Sequence, residues 1–125
     1  MKKQHIRRLQ ADFPSLYPRP AQWACGDGWF DLVYELSAKL ARIPGTEITG
    51  IKQKYGELRI DMRGHDAMAD QLILEAEERS ATICELCGRP GRTIQTSALL
   101  KTLCDAHEKR LTYEAPSLQR PSPGI

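Results

Sequence analysis

Cys84 and Cys87 stand in CELC, and Cys104 and His107 stand in CDAH, so four soft or borderline donors fall into two pairs separated by sixteen residues. Thiolates and an imidazole in that number and pairing match a tetrahedral zinc site whose shell is closed by protein. The spacing has a geometric reason. Gly88, Pro90 and Gly91 turn the chain tightly after the first pair, aiming both sulfurs at one point. The second pair is i and i+3, so both ligands leave the same side of the first turn of a helix beginning at or just after Cys104. The positive end of that helix favours the Cys104 thiolate.

Other chemistry fits these cysteines less well. A redox dithiol needs its pair at the start of a long helix, and here Gly88, Pro90 and Gly91 follow. A disulfide network belongs to secreted chains, whereas MKKQHIRRLQ has a basic start with no apolar core behind it. A zinc deaminase needs a His-x-Glu ahead of Pro-Cys-x-x-Cys, which the chain lacks. Between the two pairs, RTIQ and LLKTL read as short strands around TSA, so the order is knuckle, hairpin, helix. That order resembles a treble-clef zinc finger. Nucleases of that form carry a histidine on the hairpin, and GRPGRTIQTSALLKTL has none. Four ligands leave no open coordination position, so the expected role is structural and the expected protein is not an enzyme. Cys25 has no sequence partner and reads as a small buried hydrophobe beside Trp23. Asp61, His65 and Asp66 read as a strand end and a helix cap rather than a second metal site.

The elements that must position the finger follow from periodicity. GDGWFDLVYELSAKLARIP predicts a helix from Asp27 to Ile43, with Asp27 as N-cap, Pro44 and Gly45 as stop, and Trp29, Leu32, Val33, Leu36, Leu40 and Ile43 on one face. TEITGIKQKYGELRIDMRG predicts a hairpin of Thr46–Lys54 and Glu57–Arg63 turning at Tyr55 and Gly56, with a bulge at Gly50 because Ile48 and Ile51 differ in parity. Asp66 caps a second helix over 66–80. The three prolines from Pro14 to Pro20 keep that stretch extended. The expected fold is α+β, with four parts. A basic, proline-rich arm (1–26) packs on a helix-hairpin-helix core (27–81), followed by the zinc finger (82–112) and a flexible tail (113–125).

One core suits 125 residues, and 18 basic against 16 acidic residues leave a net charge of +2, too balanced to imply a polyanion partner by itself. No apolar run approaches the roughly 20 residues of a membrane span, and a cytoplasmic protein is expected. Two classes of function remain. In the first, the protein is a zinc-stabilised interaction module for a protein partner, with Phe30, Tyr34, Tyr55 and Arg59 as surface candidates among aromatics that also include Tyr17 and Tyr113. In the second it binds nucleic acid through Arg89, Arg92, Lys101, Lys109 and Arg110, joined by the basic N-terminus with Lys2, Lys3, Arg7 and Arg8. Glu85, Asp105, Glu108 and Glu114 interrupt the finger's basic set. No small-molecule substrate is indicated.

GWFDLVYELSAKL, IKQKYGELRIDM, EAEERSATICELCGRPG and KTLCDAH, in that order, resemble a group of small uncharacterised proteins of bacteria and their prophages. The resemblance covers about Gly28 to His107. It implies that Cys84, Cys87, Cys104 and His107 take the metal positions and that Trp29, Tyr55, Gly56, Leu58 and Arg59 are framework positions. It departs in having Ala98, Leu99 and Leu100 where that group carries a tryptophan. The resemblance brings no activity with it. It implies an accessory role in a mobile element or in bacterial conflict, such as blocking a toxin or host factor.

Overall fold

The computed structural model describes residues 1–95 and 99–114. The TSA loop at 96–98, the side chains of residues 111–114, and the tail from 115 lie outside the described residues. The elements run in order α1 (Lys3–Asp12), β1 (Gln22–Ala24), a single 3-10 turn (Asp27–Trp29), α2 (Phe30–Leu40), β2 (Glu47–Lys54), β3 (Glu57–Arg63), α3 (Ala67–Ser80), β4 (Arg92–Gln95), β5 (Leu100–Leu103) and α4 (Asp105–Glu114). They form a small α+β domain with a three-stranded mixed sheet, β1-β2-β3, and a separate hairpin, β4-β5. Among the described residues no helix is long and apolar enough to cross a membrane.

The β2–β3 hairpin follows from its sequence. Lys54 pairs with Glu57 across a two-residue loop, and Tyr55 (φ 55) and Gly56 (φ 82) both adopt the left-handed conformation of a type I′ turn. Glycine takes that conformation freely, whereas Tyr55 is the sole non-glycine residue with positive φ among the described residues. Ile48 pairs with Met62 while Gly50 pairs with Asp61, so Thr49 is an extra residue. This bulge lets Ile48 and Ile51 both reach the core despite their parity.

β3 would leave backbone donors open along its outer side. Instead the Leu58 amide donates to Ser80 Oγ at 2.9 Å and the Ile60 amide to Glu77 Oε2 at 3.1 Å. Helix α3 therefore closes that edge. Asp66 caps α3 as its sequence predicts, accepting from the Ala69 amide at 2.9 Å.

One hydrophobic cluster joins Trp29, Leu32, Val33, Leu36 and Leu40 to Ile48, Ile51 and Leu58 of the hairpin and to Ala69, Ile73 and Ala76 of α3. Leu9, Leu16, Tyr17 and Cys25 complete it. Residues 1–26, read from the sequence as an arm, thus contribute a helix and a strand. Ile6, Leu9 and Phe13 repeat at three- and four-residue intervals, and Leu9 is fully buried. α1 has no side-chain N-cap, so tertiary packing holds it. β1 pairs in parallel with β2, Trp23 opposite Ile51, and turns the expected two-stranded hairpin into a mixed sheet. Two boundaries of α2 also differ from expectation. The helix ends at Leu40, three residues before Ile43, and Asp27 does not cap it. The Asp27 carboxylate turns to α1, where Oδ1 accepts from the Lys2 amide at 2.6 Å and lies 3.0 Å from His5 Nδ1. Burial pushes this carboxyl up, but the Lys2 amide and the His5 ring outweigh it and leave the group below its ordinary 3.8.

Candidate metal centre

Cys84, Cys87, Cys104 and His107 converge, with their donor atoms all within 4.8 Å of one another. Tetrahedral zinc with Zn–S near 2.3 Å and Zn–N near 2.0–2.1 Å separates its ligands by about 3.8 Å (S to S) and about 3.6 Å (S to N). Cys87 Sγ and Cys104 Sγ are 3.7 Å apart. His107 Nδ1 is 3.5 Å from Cys84 Sγ and 3.3 Å from Cys104 Sγ. The donor set and its edges therefore fit one structural zinc ion per chain, with Nδ1 facing the metal position. Four protein donors would hold the ion and leave no coordination position for a substrate.

Local structure places each pair. In the knuckle the Gly88 amide donates to Cys84 O at 2.9 Å and the Cys84 amide to Arg89 O at 2.8 Å; Gly88 reverses the chain at φ +83. At the other pair Cys104 sits just before α4. Its carbonyl accepts the Glu108 amide at 2.9 Å, opening the helix. The His107 amide points at the Cys104 sulfur, and this is the main reason the thiol falls from 9.0 to about 6. Burial opposes the shift, while hydrogen bonds from His107, Cys87 and Cys84 assist it. Cys104 is thus poised as a thiolate near neutral pH. The Cys87 thiol is pushed up, first by burial and against the Arg89 amide. Cys84, Leu103 and Cys104, with Ile94 beside them, make a small apolar core under the site.

The finger meets the rest of the chain at two joints that sequence reasoning missed. At the first, the turn before α2 lies against the knuckle backbone. The Gly28 amide donates to Glu85 O at 2.7 Å, and the Gly26 amide donates to Glu85 Oε2 at 3.0 Å. Trp29 Nε1 donates to Ile83 O at 2.9 Å. A Cβ on Gly28 would stand 2.1 Å from Cys84 O, and one on Gly26 would stand 2.4 Å from Glu85 O, so both positions require glycine. At the second joint, Thr102 Oγ1 donates to Gly56 O at 2.6 Å and lies 2.8 Å from Thr93 Oγ1. A hydroxyl has one proton, so Thr93 donates to Thr102. Helix α3 delivers the chain to the finger. The finger is also clamped by the Gly26–Trp29 turn and by the Tyr55–Gly56 turn. The two glycines of GDGW were the available sequence signal for the first joint; nothing near Thr102 in sequence signals the second.

The surface candidates separate. Phe30 is buried, its ring stacked on His5 at 4.0 Å, and so offers no docking surface. Tyr34 is half-buried; its hydroxyl donates to Asp12 Oδ2 at 2.6 Å and Arg8 lies over its ring. Arg59 is half-buried and paired with Glu57 at 2.9 Å. Tyr55 is 66% exposed. Of the finger cations, Arg92 pairs with Glu108 at 2.8 Å and Asp105 at 3.6 Å, and Lys101 approaches Glu85 at 4.0 Å. Arg89, Lys109 and Arg110 are exposed. Cys25 is buried and its thiol is pushed up to about 12, chiefly by burial, as its inert reading requires. His65 pairs with Asp70 at 3.0 Å while Asp61 pairs with Lys52 at 3.3 Å, so the Asp61, His65 and Asp66 set is not gathered at one point.

No protein-family model matches the chain, and neither a curated protein nor a solved structure shows significant similarity to it.

Proposed function

We propose that the protein is a non-enzymatic, zinc-stabilised interaction module whose partner is another protein, docked at the end built by the finger and the Tyr55–Gly56 turn. One observation carries this reading. Tyr55, Leu86 and Leu99, at 66%, 53% and 58% exposure, are three of the five large apolar side chains left exposed among the described residues, and these three belong to the finger or to the turn clamped on it. Gly56, next to Tyr55, lies against Leu100, next to Leu99. Exposed aromatic and aliphatic groups held on rigid turns are what a protein interface buries at its centre.

The knuckle, hairpin and helix order supports a treble-clef form for the finger. The resemblance to small bacterial and prophage proteins supports an intracellular accessory role that blocks a target by binding it. The second reading, nucleic-acid binding by the finger, draws on exposed Arg89, Lys109 and Arg110. The pairing of Arg92 and Lys101 with acids weighs against it.

The test is affinity capture from the native cells with the zinc-loaded protein and with a Tyr55→Ser, Leu99→Ser variant that keeps its zinc. Recovery of a defined protein by the first and its loss by the second is the expected result. Recovery of nucleic acid alone, lost steeply as salt rises and lost also in an Arg89→Gln, Lys109→Gln variant, would replace this reading with the second.

A further inference from the structure

Charge on α1 is sorted by side. Asp27 is taken by the Lys2 amide and His5, and Asp12 by Arg8 at 3.6 Å and the Tyr34 hydroxyl. These two acids therefore serve its attachment to α2 and the turn before it. Lys2, Lys3 and Arg7 are exposed, and among the described residues none has an acidic group within ion-pair distance. Lys3 and Arg7 are i and i+4, on one side of the helix and about 6 Å apart along its axis, close to the spacing of neighbouring phosphates along one nucleic-acid strand.

We propose that this outer face of α1 is a second binding surface, independent of the finger, and that it takes the phosphate backbone of a nucleic acid without reading sequence. Other anionic partners fit less well. An interfacial membrane helix must bury its apolar side in lipid, and here that side is committed to the core through Leu9 and the His5–Phe30 stack. A protein interface needs a buried apolar centre, and the large exposed apolar residues, Tyr55, Met68, Leu74, Leu86 and Leu99, all lie outside α1. What remains on this face is unpaired positive charge, which matches a repeating anion.

The experiment measures binding of the zinc-loaded protein to a short DNA duplex of arbitrary sequence across a salt series. Three phosphate contacts give a slope of log K against log salt of about −2.7, or about 40-fold weaker binding at 200 mM than at 50 mM salt. The Lys2→Gln, Lys3→Gln, Arg7→Gln variant should bring the slope near zero. It keeps the Lys2 backbone bond to Asp27, and zinc content and near-ultraviolet circular dichroism check its fold. If it fails that check, Arg7→Gln alone should reduce the slope by about 0.9. An Arg89→Gln, Lys109→Gln variant should leave the slope unchanged, which also separates this surface from the finger. The proposal is overturned by absence of salt-dependent binding, by a slope that follows the finger variant, or by equal affinity for phosphatidylserine vesicles or polyglutamate.

Discussion

At Thr102 one buried hydroxyl links the finger to the hairpin turn, so its chemistry is separable from its volume. Thr102→Val keeps the shape but leaves the Gly56 carbonyl without its donor, at a cost of about 1–3 kcal/mol. Thr102→Ser keeps the donor and should recover part of that loss, with the shortfall reflecting the missing methyl. Urea unfolding of the three proteins checks the order. Glycine gives a second residue-scale contrast. Gly45 has φ +81 and open space around it, so Gly45→Ala is expected to cost about 1 kcal/mol. Gly28 needs no left-handed backbone, yet its added Cβ meets the Cys84 carbonyl; Gly28→Ala should cost about 3 kcal/mol and loosen the finger. Thermal melts of both variants test the ranking. The metal ligands were legible because each pair is local. The contacts of Gly28 and Trp29 with the knuckle were not, although Trp29 itself was read as core, because Trp29 meets Ile83 across 54 residues of sequence and no short window contains both.

Among the elements, the β2–β3 hairpin was the most legible, since alternation, a Tyr-Gly loop and a parity break at Gly50 are all local features. α1 was not. Lys2, Lys3, Arg7 and Arg8 hide the apolar repeat of Ile6, Leu9 and the flanking Phe13, and the helix depends on α2 for its stability. β1 is only three residues long and pairs with a strand more than twenty positions later, so alternation had no length in which to show. The attachment of α1 carries a pH dependence. The Asp27 carboxyl lies below its ordinary 3.8 in the folded protein, so its contribution is fully present above that value and is lost as pH falls through the lower, folded value. α1 should therefore detach in acid before the core unfolds. Backbone chemical shifts of Ile6 and Leu9 followed from pH 6 to pH 2 would record it. Asp27→Asn should loosen α1 already at pH 6 and remove that acid-dependent step.

For the molecule as a whole, the finger and the remaining domain act as one unit because two backbone turns are built into the finger's flank. Sequence reasoning recovered an α+β domain and a four-ligand zinc cluster, and placed the finger at the end of a chain of elements. It could not see that Gly26–Trp29 and Tyr55–Gly56 both close upon that finger, since only the folded arrangement makes them neighbours. The central claim is that one zinc ion holds the finger and, through it, these joints. Hydrogen exchange after element analysis of protein purified without added metal, with and without strong chelator, tests it most directly. The expected result is one zinc per chain. On its removal, amide protection should be lost through 84–110 and at Gly28, while α2 around Leu36 stays protected. Absence of stoichiometric metal, together with unchanged protection of Cys84, Glu85 and Glu108 in chelator, would contradict it.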